Sequence, residues 1–143
     1  MISFDPEPLR PFTSYVCDDR FRRAFRFKIT LKDVQPEVWR RIEVPDSYSF
    51  WDLHVAITDA FGWFDYHLHE FHIQNPKTGK NLRLGIPDPE DIGDIPLKPD
   101  YRRQLAGLFS KTNRYCTHLY DFGDGWQHEI ELESLAARAK DVE

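Results

Sequence analysis

The sequence predicts an α+β fold: a mostly antiparallel sheet of hairpins, in the order β-β-α-β-β-α-β-β, packed with two helices. Three observations carry that reading. Phe25, Phe27, Ile29 and Leu31 alternate with Arg26, Lys28 and Thr30, the period of a strand with one buried and one wet face. Phe50, Leu53, Ile57, Ala60 and Phe61 recur at helical spacing. Gly123-Asp124-Gly125 separates two further alternating runs, where a tight hairpin needs residues tolerant of positive φ.

Taken in order, residues 1–23 hold three prolines and no sustained period, and read as an N-terminal arm. Residues 24–133 read as a single α+β domain. After the strand at 24–31, a turn through Asp33 to Pro36 leads to Val38, Arg40, Ile42 and Val44, alternating with Trp39, Arg41 and Glu43. Arg40 therefore falls in an apolar row. Pro45 ends that strand, Ser47 or Ser49 can cap the helix, and Gly62 can stop it. Leu68 to Ile73 reads as a strand, with Leu82 to Leu84 as its short partner. The loop from Gly85 to Asp100 carries four prolines and is barred from a central strand. Asp100 to Phe109 fits a short helix. Tyr115 to Phe122 and Trp126 to Leu132 form the last hairpin, and residues 134–143 read as a weakly helical tail.

Composition narrows the functional classes. The chain has 143 residues, room for one core of the usual roughly 50 to 200 residues. Its formal charge of -5 argues against a surface that attracts duplex nucleic acid everywhere, and no apolar run or leader-like start points to a membrane span or signal peptide. A cytoplasmic setting is expected. Cys17 and Cys116 read as reduced, structural thiols. The charges are unevenly spread: Arg20 to Arg41 sums to +6 and residues 42–100 to -7. Those two surfaces can cover one another, or leave a basic strand face open.

Four strings, KITLKDVQPEVWRRIEVP at 28–45, GWFDYHLHEFHI at 62–73, LGIPDPED at 84–91 and YDFGDGWQHEIELE at 120–133, together resemble the plasmid pRiA4b ORF-three-like family. The resemblance spans Phe25 to Leu132. It implies a compact α+β domain found in bacteria, archaea and mobile elements, some members being labelled passenger proteins of an insertion element, with no established activity. Members often continue into a further segment with cysteines and a Pro-Pro-Glu-Asp string, which does not occur in these residues.

Three constellations can carry chemistry. His67 and His69 project from one side of an extended strand, and Asp121, Asp124 and His128 of the last hairpin can complete a site for a divalent metal such as zinc, iron or manganese. Against that, His69 shares its face with Phe71 and Ile73, and His128 lies between Trp126 and Ile130, as core histidines do. Arg40 needs a partner, for which Asp121, Asp124 and Glu70 are eligible, or it binds an anionic ligand. Arg26, Lys28, Trp39 and Arg41 interleave base and aromatic ring on the wet face of the first hairpin, a pattern that can hold single-stranded nucleic acid. Trp126 joins them as a candidate binding residue. Phosphate-cradling glycine loops and nucleophile settings are missing. The expectation is a non-enzymatic binding module with a protein or nucleic-acid partner, no required cofactor and no membrane. The alternatives are a metal-dependent hydrolase and nucleic-acid binding through the first hairpin.

Overall fold

The computed structural model describes residues 23–63, 68–121 and 125–137, with the side chains of 136 and 137 left aside. Almost all of the N-terminal arm, and residues 138–143 of the tail, lie outside these limits. The elements are β1 (Arg23–Leu31), β2 (Val38–Pro45), α1 (Phe50–Ala60), β3 (His69–Gln74), β4 (Asn81–Gly85), β5 (Leu97–Pro99), a 3-10 turn (Asp100–Arg102), α2 (Leu105–Leu108), β6 (Tyr115–Tyr120) and β7 (Trp126–Ala137). The seven strands make one sheet in the order β2-β1-β7-β6-β3-β4-β5.

Alternation decides the two faces. Phe25, Phe27, Ile29 and Leu31 of β1, Phe71 and Ile73 of β3, and Ile130 and Leu132 of β7 are buried beneath α1 and α2, where Phe50, Leu53, Ile57, Leu105 and Leu108 meet them. Phe50 stacks on Phe109 and edges onto Phe71, so these rings build the core. Ser49 caps α1 by a reciprocal box: the Asp52 amide donates to Ser49 Oγ, and the Ser49 amide donates to the Asp52 carboxylate. Gly62, at φ +70, takes the left-handed position just past the helix.

Three expectations change. The sheet is mixed, because the proline-rich loop returns as β5, pairing parallel to β4 at the sheet's edge. Proline is tolerated there because an edge strand has one side without ladder bonds. The helix expected over Asp100 to Phe109 is split: the Phe50 amide donates to the Arg103 carbonyl and the Leu105 amide to the Tyr48 carbonyl, so this stretch is held against the start of α1. The tail does not turn helical at Ser134. β7 runs on through Ala137 beside β1, with a register shift at Arg26/Phe27 that leaves Glu133 as the extra residue. Among the described residues no helix is long and apolar enough to cross a membrane.

Candidate functional site

The inner face carries a cluster of imidazoles where β3, β6 and β7 meet α1. His54 comes from the apolar stripe of α1, His69 from β3, His118 from β6 and His128 from β7, all at most 2% exposed. His54 Nδ1 is hydrogen-bonded to His118 Nε2 at 2.9 Å, and His118 Nδ1 to His128 Nδ1 at 3.1 Å. The His69 ring stacks on His54 with centroids 3.5 Å apart and planes 10° from parallel. His69 Nε2 donates to Asp100 Oδ2 at 2.6 Å, tying β3 to the 3-10 turn. Trp51, Phe61, Trp63, Phe71 and Tyr120 pack around these rings.

A neutral imidazole has one N–H and one lone pair. His118 spends opposite nitrogens on two neighbours, so the three linked rings form a chain and do not aim lone pairs at a common point. Burial first, and the neighbouring histidines second, hold His118 well below its ordinary pKa. Burial likewise lowers His128 to about 4. His128 Nε2 and Asp100 Oδ1 are buried without a hydrogen-bond partner. Cys116 is also buried, and its thiol is pushed far up by that burial, so it is chemically quiet.

The candidate metal residues are distributed unevenly over this geometry. His69 and His128 both belong to the cluster; His67 and Asp124 lie outside the described residues. Asp121 follows β6 at φ +58, its amide donating to the Leu68 carbonyl and its carbonyl accepting from the Gly125 amide. Among the described residues no three His, Cys, Asp or Glu side chains are arranged to hold a metal ion. His54, His118 and Asp100 were not in the candidate set. His54 lies four residues after Phe50 and three before Ile57, and His118 alternates between Cys116 and Tyr120, so inward placement was the available signal. Asp100, at the end of a proline-rich loop, offered none.

Arg40 is 4% exposed on edge strand β2. Its Nε donates to the Ala60 carbonyl at 3.1 Å, its Nη1 to the Trp39 carbonyl at 2.8 Å, and its guanidinium lies over the Phe61 ring. Of its expected partners, Glu70 is engaged elsewhere: it accepts from Arg83 at 2.6 Å and from His72 at 2.6 Å. Burial raises the Glu70 pKa, but these two partners outweigh it and hold the carboxyl below its usual value.

The outer face of the sheet has neither helix over it. At one end Trp39 lies between Lys28 and Arg41, each about 5 Å from its ring. Arg26 is paired with Glu43 at 2.7 Å and Arg41 with Glu133 at 2.6 Å. Two arginines of the basic strip are thus matched by acids of β2 and β7. The acidic loop cannot cover it, because that loop hangs from β4 and β5 at the opposite edge. There Arg83 is gripped by Glu70 and Asp91 and donates to the Ile95 carbonyl, which fastens the loop to the sheet. A groove of about 520 Å³ crosses this end, its lining including His72, Gln74, Arg83, Tyr115, Thr117 and Glu129. Trp126 stands apart from both, 38% exposed at the mouth of the inner cluster, edge-on to Trp63.

Among the described residues, fold and site together define an α+β domain with one mixed sheet, a buried histidine cluster on one face and an ion-paired opposite face that neither helix covers. Residues 23–143 match the family described as plasmid pRiA4b ORF-3-like protein, and the chain belongs to it. It is 36% identical over 108 residues to "Uncharacterized protein y4hQ" of Sinorhizobium fredii (strain NBRC 101917 / NGR234), covering 76% of this chain and 52% of that one. The chain therefore spans about half the length of this curated relative. It also resembles the crystal structure of a "Protein of Unknown Function MM3350 from Methanosarcina mazei Go1", with a TM-score of 0.79 and 40% identity, covering 86% of this chain and 66% of that one.

Proposed function

We propose that the chain is a non-enzymatic interaction module that docks a protein partner on the outer face of its sheet, within the life of a plasmid or mobile element. The observation that carries this reading is the division of labour between the faces. Among the described residues, both helices and the four inward histidines lie on one side, while neither helix covers the grooved side. A protein partner suits that face better than nucleic acid, because Arg26 and Arg41 are already paired with Glu43 and Glu133, whose carboxylates a phosphate would have to displace.

The test is comparative. Tagged wild-type chain and a Tyr115→Ala/Thr117→Lys variant of equal melting temperature are used to recover partners from the native host. The reading expects a discrete protein held by the wild type and lost by the variant. Recovery of the same set by both overturns it, as does salt-dependent binding of single-stranded DNA that depends on Trp39 and Lys28. The alternative, a metal-dependent hydrolase using His67, His69, Asp121, Asp124 and His128, takes over if chelator-free protein carries stoichiometric zinc, iron or manganese.

A further inference from the structure

The two edges of the sheet are built differently. β5 is three residues long and ends in Pro99, and the loop leading into it is fastened by Arg83. β2 is eight residues long, pairs with β1 from Val38 to Pro45 without a register shift, and has no strand on its other side among the described residues. Such an edge is a template for another strand, and proteins usually blunt it with short length, proline, a bulge or an inward charge. In β2 the only proline is the last residue. The inward charge, Arg40, is buried, and of the edge's carbonyls it takes that of Trp39, through Nη1 at 2.8 Å.

The ladder shows which backbone groups the edge presents. The Asp46 amide donates to the Arg23 carbonyl in the same register as β1 and β2, so Val44, Ile42 and Arg40 also bond to β1, and Trp39, Arg41 and Glu43 turn their amides and carbonyls the other way. Their side chains lie on the outer face. There Arg41 holds Glu133 through Nε and Nη2, and Glu43 accepts from Arg26 through Oε2 alone. Arg41 Nη1 and Glu43 Oε1 are left without a bond among the described residues.

We infer that β2 pairs antiparallel with β2 of a second copy of this chain, about a two-fold axis at Ile42 that sets Arg41 opposite Glu43 of the other copy. The groove lies at the opposite end of the sheet, so the inference does not rest on the docking reading above. In this register Arg41 and Glu43 exchange both backbone bonds on each side of the axis, and opposite charges face one another across it. Each Arg41 then lies between Glu133 of its own chain and Glu43 of the other. Trp39 faces Pro45, which has no N–H to set against the Trp39 carbonyl that Arg40 already occupies. Sliding one copy along by two residues, the smallest shift that keeps the faces matched, opposes Arg41 to Arg41 or Glu43 to Glu43. The edge is therefore complementary to itself in one register.

The test is sedimentation velocity on the full chain over a rising concentration series, in which monomer should give way to dimer. Glu43→Pro removes an outward amide and leaves the bonds to β1 in place, so it should weaken dimerisation by about tenfold or more while the chain stays folded. Arg41→Glu opposes glutamate to Glu43, and Glu43→Lys opposes lysine to Arg41, so each variant alone should be monomeric over the same range. An equimolar mixture of the two restores both opposite-charge contacts and should form a heterodimer. A wild-type chain that stays monomeric throughout, a dimer undiminished by Glu43→Pro, or a mixture no more associated than its components overturns the inference. So does a monomer whose Arg41 and Glu43 amides resist hydrogen exchange, because the edge is then covered from within the chain.

Discussion

The two faces of this sheet use the same residue types in opposite ways. On the inner face, His54, His118 and His128 are buried and linked to one another by hydrogen bonds, with burial holding His118 and His128 below their ordinary pKa, and His69 is bonded to the buried Asp100; on the outer face, His72 donates from a half-exposed ring to a carboxylate. Arginine occurs on both faces, with Arg40 inside, donating to the Ala60 and Trp39 carbonyls and lying over the Phe61 ring, and Arg26, Arg41 and Arg83 outside on carboxylates. Solvent makes the difference: inside, a polar group loses its hydration and depends on close partners, as His69 does on Asp100, while outside water shares in supporting an exposed pair. Folding energy is therefore concentrated inside, and the exposed pairs of the outer face can change their charges at little cost, whereas the buried Glu70 depends on Arg83.

The largest effect expected from this contrast lies in the core. Phe71→Ala, under α1 and against Phe50 and His118, should lower stability by about 3–5 kcal/mol in urea denaturation, and a loss near zero would break the inner half of the comparison.

Acid separates the faces next. Because His118 and His128 have lowered pKa values in the folded state, the unfolded chain takes up protons first. Stability is then full above the ordinary histidine value of 6.5 and falls as pH drops toward 4. His128 alone should contribute a loss on the order of 3 kcal/mol across that window. The lowered carboxyls of Glu70 and Glu133 act in the same direction but below their ordinary value of 4.5. A melting temperature flat from pH 7 to 5 would contradict the buried, neutral imidazoles.

Smaller again is Arg83→Met, which leaves Glu70, 8% exposed, without its guanidinium. A loss of about 2 kcal/mol and faster amide exchange over residues 86–96 are expected. Least of all is Arg26→Ala, which removes an exposed pair with Glu43 and should cost less than about 1 kcal/mol by thermal melting.

Much of this contrast is legible in the sequence, where side chains alternate. Phe25 to Leu31, Val38 to Val44 and Trp126 to Leu132 were assignable to faces by period alone, and Arg40 was visible as a charge in an apolar row. What spacing could not show is which inward residues meet. His54, His69, Asp100, His118 and His128 come from five separate elements, brought together by the register of β3, β6 and β7 and by the packing of α1 and the 3-10 turn against them. Local pattern also misled where tertiary contacts prevailed, as at Arg103 to Leu105, whose backbone bonds serve the start of α1 in place of a continuous helix. The destination of the opposed charge blocks was likewise topological. Only the strand order puts the acidic loop and the basic strip at opposite edges.

The division between a sealed inner face and an accessible outer one is tested most directly by carbethoxylating the histidines of the folded protein and locating the adducts by peptide mass spectrometry. His72, with 45% of its side chain exposed, should react promptly, while His54, His69, His118 and His128 stay unmodified until the chain unfolds. Modification of those four at rates comparable to His72, with the fold intact, would contradict the account.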